Sequence, residues 1–168
     1  MASCQELIDR AERYAERTRL QLGEQLGFGV HGVVFACRRM GEPGRLAIKV
    51  HERQMPYERE RDVYLRLQQH AVTLVRGCHV PQLLGYDDGA LIIEMTAVTP
   101  PYVLDFAGAY LDRPPDFSED VLAEWEAEKD EQFGDGWPEV KRVLWTLEGH
   151  GIYLSDISPN NICLHEGS

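Results

Sequence analysis

The amino-acid sequence predicts an α+β fold, with an antiparallel sheet in its first part and a mostly helical second part. Three observations carry this expectation. Residues 20 to 50 are β-branched or alternating runs cut by glycines and by the turn Gly41-Glu42-Pro43-Gly44. Two further such runs, joined by Asp87-Asp88-Gly89, end in the apolar stretch Ala90 to Met95. Beyond Pro100-Pro101 the chain changes to longer segments of helical character, separated by stretches containing Pro and Gly.

Taken in order, Leu7, Ala11 and Tyr14 recur at helical spacing among charges, which predicts a short amphipathic helix over 5–18, with no function attached to it. The runs "LQLGEQLGFG", "GVVFACRRM" and "RLAIKVH" follow as an antiparallel meander with a glycine-rich turn. Val63, Leu65 and Leu67 lie in a segment free of internal Gly and Pro, and Pro56 suits a helix start, so one helix is expected over about 57–69. The Pro-rich connector "TAVTPPY" sets a boundary between two lobes, 1–96 and 97–168. In the second lobe, helices are expected over roughly 102–111, 118–132 and 137–149, the last ending at Gly149 or Gly151.

With 168 residues and 43% hydrophobic content, the chain can bury one sizeable core, as one domain or two small lobes. Cys4, Cys37, Cys78 and Cys163 are scattered, with neither a Cys-x-x-Cys pair nor zinc spacing. The charged N-terminus lacks a signal-peptide core, and no later stretch approaches the roughly 18 apolar residues of a membrane span. A reduced, unexported, cytoplasmic protein without membrane attachment is expected. The net charge of −11 argues against a sequence-independent nucleic-acid binder. Much of it is local: residues 112–139 hold eleven acids and two bases. That pattern suits a solvated helical face or, alternatively, a contact for a basic partner.

Gly27-x-Gly29-x-x-Gly32 falls between two strands, whereas a dinucleotide fingerprint needs a helix after the glycines. In a hairpin, the same glycines let backbone fold over phosphates without side-chain clashes. The motif alone is weak, and Lys49 strengthens it. This lysine stands on the inward face of the apolar strand "LAIKV", where an ammonium is costly unless paired with an anion. Glu60, on the face of the next helix that carries Val63, Tyr64 and Leu67, is its expected partner. Asp156 and Asn161 then stand five apart in "DISPNN": an Asp to accept a hydroxyl proton and an Asn to bind a divalent metal are what phosphoryl transfer needs at this spacing.

This ordered set, together with Val34, Ala47-Ile48-Lys49, "LIIEM" and "GIYLSDISPNNI", resembles a eukaryotic-type protein kinase, as also found in bacteria, over roughly residues 20–164. The resemblance implies the two-lobed kinase fold, an antiparallel N-lobe sheet with one helix followed by a helical C-lobe, and ATP and Mg2+ as cofactors. It also implies roles by position. Gly27, Gly29 and Gly32 cover the phosphates, and Val34 and Ala47 roof the adenine. Ile93 is the gatekeeper, Glu94 and Thr96 flank Met95 in the hinge, and Cys163 lies on the floor. Lys49 holds the α- and β-phosphates, Glu60 pairs with it, Asp156 is the catalytic base, and Asn161 is a magnesium ligand.

The departures are equally specific. Leu154-Ser155 stands where the family has His-Arg, and Ser158 replaces the lysine found two residues after the Asp in serine/threonine kinases. Only seven residues follow Asn161, without the Asp-Phe-Gly segment that supplies the second metal carboxylate. Three function classes follow: an ATP-binding pseudokinase or regulatory module; a minimal protein kinase using a non-family carboxylate such as Glu166 or completed by a second chain; and a small-molecule phosphotransferase. A shortened helical lobe predicts an exposed apolar face, hence self-association or a protein partner.

Overall fold

The computed structural model describes residues 2–165. In chain order the elements are α1 (Cys4–Thr18), β1 (Leu20–Gly29), β2 (Gly32–Arg39), β3 (Leu46–His51), α2 (Gln54–Gln69), β4 (Leu74–Val75), β5 (Cys78–His79), β6 (Leu83–Asp87) and β7 (Ile92–Thr96). They are followed by β8 (Tyr102–Val103), β9 (Tyr110–Leu111), α3 (Glu119–Phe133), α4 (Trp137–Glu148), β10 (Ile152–Tyr153) and β11 (Ile162–Cys163). The fold is α+β. Its principal sheet has the order β1-β2-β3-β7-β6, with every neighbouring pair antiparallel.

Strand alternation gives this sheet two different faces. Val33, Phe35, Cys37, Ile48, Val50 and Ile92 face α1, packing against Leu7, Ala11, Tyr14 and Ala15. A capping box starts α1: the Ser3 hydroxyl accepts from the Glu6 amide at 3.2 Å, and the Glu6 carboxylate accepts from the Ser3 amide at 2.5 Å. Ala47, Ile93 and Met95 point the other way, toward Tyr57, Val63, Tyr64 and Leu67 of α2. Each large side chain fully buried there contributes about 1.5–3 kcal/mol of hydrophobic stabilisation. Pro56 is the third residue of α2, so the helix begins three residues before the sequence suggests. A first-turn proline is tolerated because its missing N–H would have no intrahelical acceptor.

The same hydrophobic cluster continues past the connector at 97–101 to Phe106, Val140, Val143, Leu147, Ile152, Ile157 and Ile162. The expected helix over 102–111 does not form. Tyr102–Val103 pairs with β11, Tyr110–Leu111 pairs with β10, and a turn lies between them. The Leu104 amide donates to the Asn161 carbonyl at 2.7 Å and the Asp112 amide to the Gly151 carbonyl at 2.8 Å, so these donors are used across the chain. Asp105 and Asp112 have φ of 62° and 64°, which a right-handed helix cannot hold. Val103, Phe106 and Ala107 are buried at a spacing that a helix would also produce, hence the misreading. Helices α3 and α4 match their expected ranges to within one residue. Ser118 caps α3 by accepting from the Val121 amide at 3.3 Å. Among the described residues, no helix is long and apolar enough to cross a membrane.

Candidate functional site

A cleft of about 670 Å³ lies between the β1–β2 hairpin and the segments that follow β7. Its roof is the glycine hairpin, in which the three glycines have different environments. A Cβ on Gly32, whose φ is +148°, would sit 2.0 Å from the Val50 carbonyl oxygen, so this glycine lets β2 lie close against β3. Gly27 and Gly29 have open space around the same position and line the cleft. Their lack of a side chain leaves backbone accessible from below.

Lys49 emerges from the middle of β3, beside Val34 and Ile93 in register, with only 6% of its surface exposed. Its Nζ is 2.7 Å from Glu60 Oε2 and 2.8 Å from Asp105 Oδ1. Glu60 is wholly buried and has two more donors: His51 Nε2 at 2.6 Å and the Phe106 amide, which donates to Oε1 at 3.3 Å. Burial alone would raise the Glu60 carboxyl. The Lys49 ammonium and the His51 hydrogen bond outweigh it and hold the group down at about 2. An ionised carboxylate only accepts, so His51 Nε2 carries the proton of this bond. For Lys49 burial acts to lower the pKa, and the two carboxylates reverse the effect, leaving it raised and the ammonium charged.

The opposite wall is the loop from β10 to β11. The Ser158 carbonyl accepts from the Asn161 and Ile162 amides, each at 3.0 Å, closing a turn that presents Ser158, Asn160 and Asn161 to the cleft. The indole Nε1 of Trp125 on α3 donates to the Ser155 carbonyl at 2.8 Å, anchoring the residue before Asp156. His31, at the tip of the hairpin, reaches across to place Nε2 3.6 Å from Asp156 Oδ2. Asp156 itself remains largely exposed.

Of the residues expected from sequence, Gly27, Gly29, Gly32, Val34, Ala47, Lys49, Glu60, Thr96, Asp156 and Asn161 line this one cleft, with Met95 among them. Ile93, Glu94 and Cys163 do not. Ile93 is fully buried in the core beneath α2. Glu94 lies on the other face of β7, where it accepts from Tyr14 at 3.0 Å and pairs with Arg39. The thiol of Cys163 donates to the His165 carbonyl at 3.1 Å. Glu166 lies outside the described residues.

Sequence reasoning overlooked three participants: His51, Asp105 and His31. Strand alternation could have found His51, two residues from Lys49 on the same face. Asp105 heads the stretch Asp105-Phe106-Ala107-Gly108, inside the segment expected to be helical. Here the acid faces Lys49, while Phe106 packs edge-on to Tyr64 with ring centroids 5.4 Å apart. Gly108 abuts Asp156, since a Cβ on it would stand 3.0 Å from the Asp156 Cβ.

Among the described residues, no three His, Cys, Asp or Glu side chains gather into a self-sufficient metal site. Asp105, Asp156 and Asn161 are hard oxygen donors on one cleft, and Mg2+ usually takes one or two protein carboxylates with the rest of its shell from phosphates and water. The residues present therefore fit a magnesium ion that arrives with a polyphosphate. No protein-family model matches the chain, and no curated protein matches it either.

A second groove, of about 420 Å³, is lined by residues of α3 and α4 together with Phe117 and Tyr153. Trp145 is 75% exposed there.

Proposed function

We propose that this chain is an ATP-binding, protein-kinase-like domain whose nucleotide occupies the cleft beneath the glycine hairpin. The observation that carries the proposal is the buried Lys49–Glu60 pair at 2.7 Å on the wall of an open cleft. A buried ion pair is weak support for stability, since apolar residues of similar volume often do as well or better. A fixed ammonium facing a cleft with a roof of bare backbone is suited to polyphosphate. On this reading, Gly27 and Gly29 leave backbone amides free to approach phosphate oxygens, and Lys49 holds one of those oxygens. Val34 and Ala47 supply the apolar ceiling for a base. Asp156 and Asn161 would hold a magnesium ion arriving with the nucleotide, which would neutralise phosphate charge.

The regulatory form of this reading rests on Leu154-Ser155 and Ser158, which remove cations from the loop around Asp156. A phosphotransferase reading is favoured by Asp156 itself, an exposed carboxylate beside Asn161 in the same cleft that could take the proton of an incoming hydroxyl. Two measurements separate these possibilities. Thermal shift with ATP, with and without Mg2+, should stabilise the wild type and not Lys49→Ala; no shift in the wild type refutes nucleotide binding. Label transfer from γ-labelled ATP to a basic protein substrate, lost in Asp156→Asn, would establish the enzyme. Absence of transfer despite ATP binding would leave the regulatory module.

A further inference from the structure

We infer that Asp105 is the carboxylate that holds the divalent cation in this cleft, supplied from ahead of the Asp156 loop. The inference rests on the ATP-binding reading and extends it to this chain's own residues.

Charge balance points to it first. Among the described residues, Lys49 is the only Lys or Arg lining the cleft, whereas Glu60, Asp105 and Asp156 all line it. Glu60 alone neutralises Lys49. Asp105 and Asp156 then have no further Lys or Arg to offset them on the surface that would receive a polyanionic phosphate chain. At short range and in a partly dry site such repulsion is large. A cation bound between carboxylates and phosphates reverses its sign.

The two acids beside Lys49 are built for different tasks. Glu60 is fully buried and held by Lys49, His51 and the Phe106 amide. Asp105 has a side chain 31% exposed, and both of its hydrogen bonds, from Lys49 at 2.8 Å and the Ala107 amide at 3.3 Å, fall on Oδ1. Among the described residues, Oδ2 has no hydrogen-bond partner. Its backbone is fixed in the left-handed region, with the Leu104 amide before it bonded to Asn161 and the Phe106 amide after it bonded to Glu60. Gly108, against Asp156, completes the tie. The acid is therefore tethered to both candidate partners, Asn161 and Asp156, and retains a free oxygen.

The test uses the full chain and compares the affinity for ATP with and without Mg2+, by calorimetry, in wild type, Asp105→Asn and Asp105→Glu. Mn2+ with ATP, followed by electron paramagnetic resonance, reads the metal directly. In wild type, metal should tighten ATP binding. Asp105→Asn should weaken bound Mn2+ by at least the roughly 10–100-fold that loss of even an outer-shell partner costs. The same variant should bind metal-free ATP as well as wild type or better, because a repelling charge is gone. Asn tolerates the left-handed backbone, so this variant should fold, and Asp105→Glu should restore part of the metal effect. Full metal enhancement in Asp105→Asn would overturn the inference while leaving ATP binding intact. Failure of wild type to bind ATP under either condition would overturn the functional reading and the inference with it.

Discussion

The three glycines of the hairpin should respond oppositely to alanine, and the difference can be worked from their surroundings. In Gly32→Ala the new Cβ meets the Val50 carbonyl oxygen at 2.0 Å, Val50 C at 2.9 Å and His51 Cα at 3.0 Å, all of it backbone of the neighbouring strand. A contact that short must open by more than 1 Å, to about 3.2 Å, at the point where Gly32 pairs with His51, and a φ of +148° adds about 1–3 kcal/mol for any residue with a Cβ. Together these give roughly 3–5 kcal/mol, a large part of the ~5–15 kcal/mol that holds a typical domain. At about 2–4 °C per kcal/mol for a chain of this size, Tm should fall by roughly 6–20 °C. Gly27→Ala and Gly29→Ala meet nothing within 4 Å, so each should change stability by less than about 1 kcal/mol and can raise it by restricting the unfolded chain. Both should nevertheless weaken ATP binding, because their methyl groups enter the cleft. Chemical denaturation and ATP calorimetry on the three variants provide the readouts. A Gly32→Ala protein within about 1 kcal/mol of wild type, or a Gly29→Ala protein that unfolds, would refute this division of roles.

The buried acid Glu60 should govern part of the acid sensitivity. With its carboxyl depressed from 4.5 to about 2, its contribution is complete above pH 4.5 and is lost as pH falls toward about 2. The shift corresponds to about 3 kcal/mol, so urea midpoints in Glu60→Gln should start lower at pH 7 and fall less between pH 4.5 and 2.5; parallel curves contradict this. Trp125→Phe removes the indole hydrogen bond to Ser155 at a cost of about 1 kcal/mol, and amide exchange at Asp156 and Ile157 should accelerate more than in β3. Unchanged exchange would dissociate α3 from the loop. Tyr14→Phe deprives buried Glu94 of a donor, costing about 1–2 kcal/mol, and ATP affinity should stay the same because Glu94 faces α1 rather than the cleft. An affinity loss would place Glu94 in the site after all.

Much of the site was legible because its chemistry occurs in short, ordered stretches. The glycine spacing between strands, a lysine in an apolar strand, and an Asp and Asn five apart are local patterns, and residue type restricts what each can do. Local periodicity likewise identified α1, α2, α3 and α4 and the strands of the main sheet. It failed at 102–111. There, burial at helical spacing came from a turn whose amides are used by Asn161 and Gly151, partners some 40 to 57 residues away in sequence. The assignments to Ile93, Glu94 and Cys163 were position matches to a motif: the Glu94 side chain turns toward α1, whereas Ile93 shares the face of Ala47 and Met95 but is buried beneath α2.

By itself, then, the sequence determined an α+β chain with a glycine-rich hairpin, a lysine requiring an anion, and an Asp–Asn loop. The tertiary structure alone decided which anions that lysine meets. Glu60 was foreseeable from the helix that follows. Asp105 was not, because it comes within 2.8 Å of Lys49 only through pairing of β8 with β11 and the left-handed turn after it. The second carboxylate beside Lys49 thus comes from some fifty residues before Asp156. Backbone pairing between distant segments, which no local pattern encodes, brings it to the cleft.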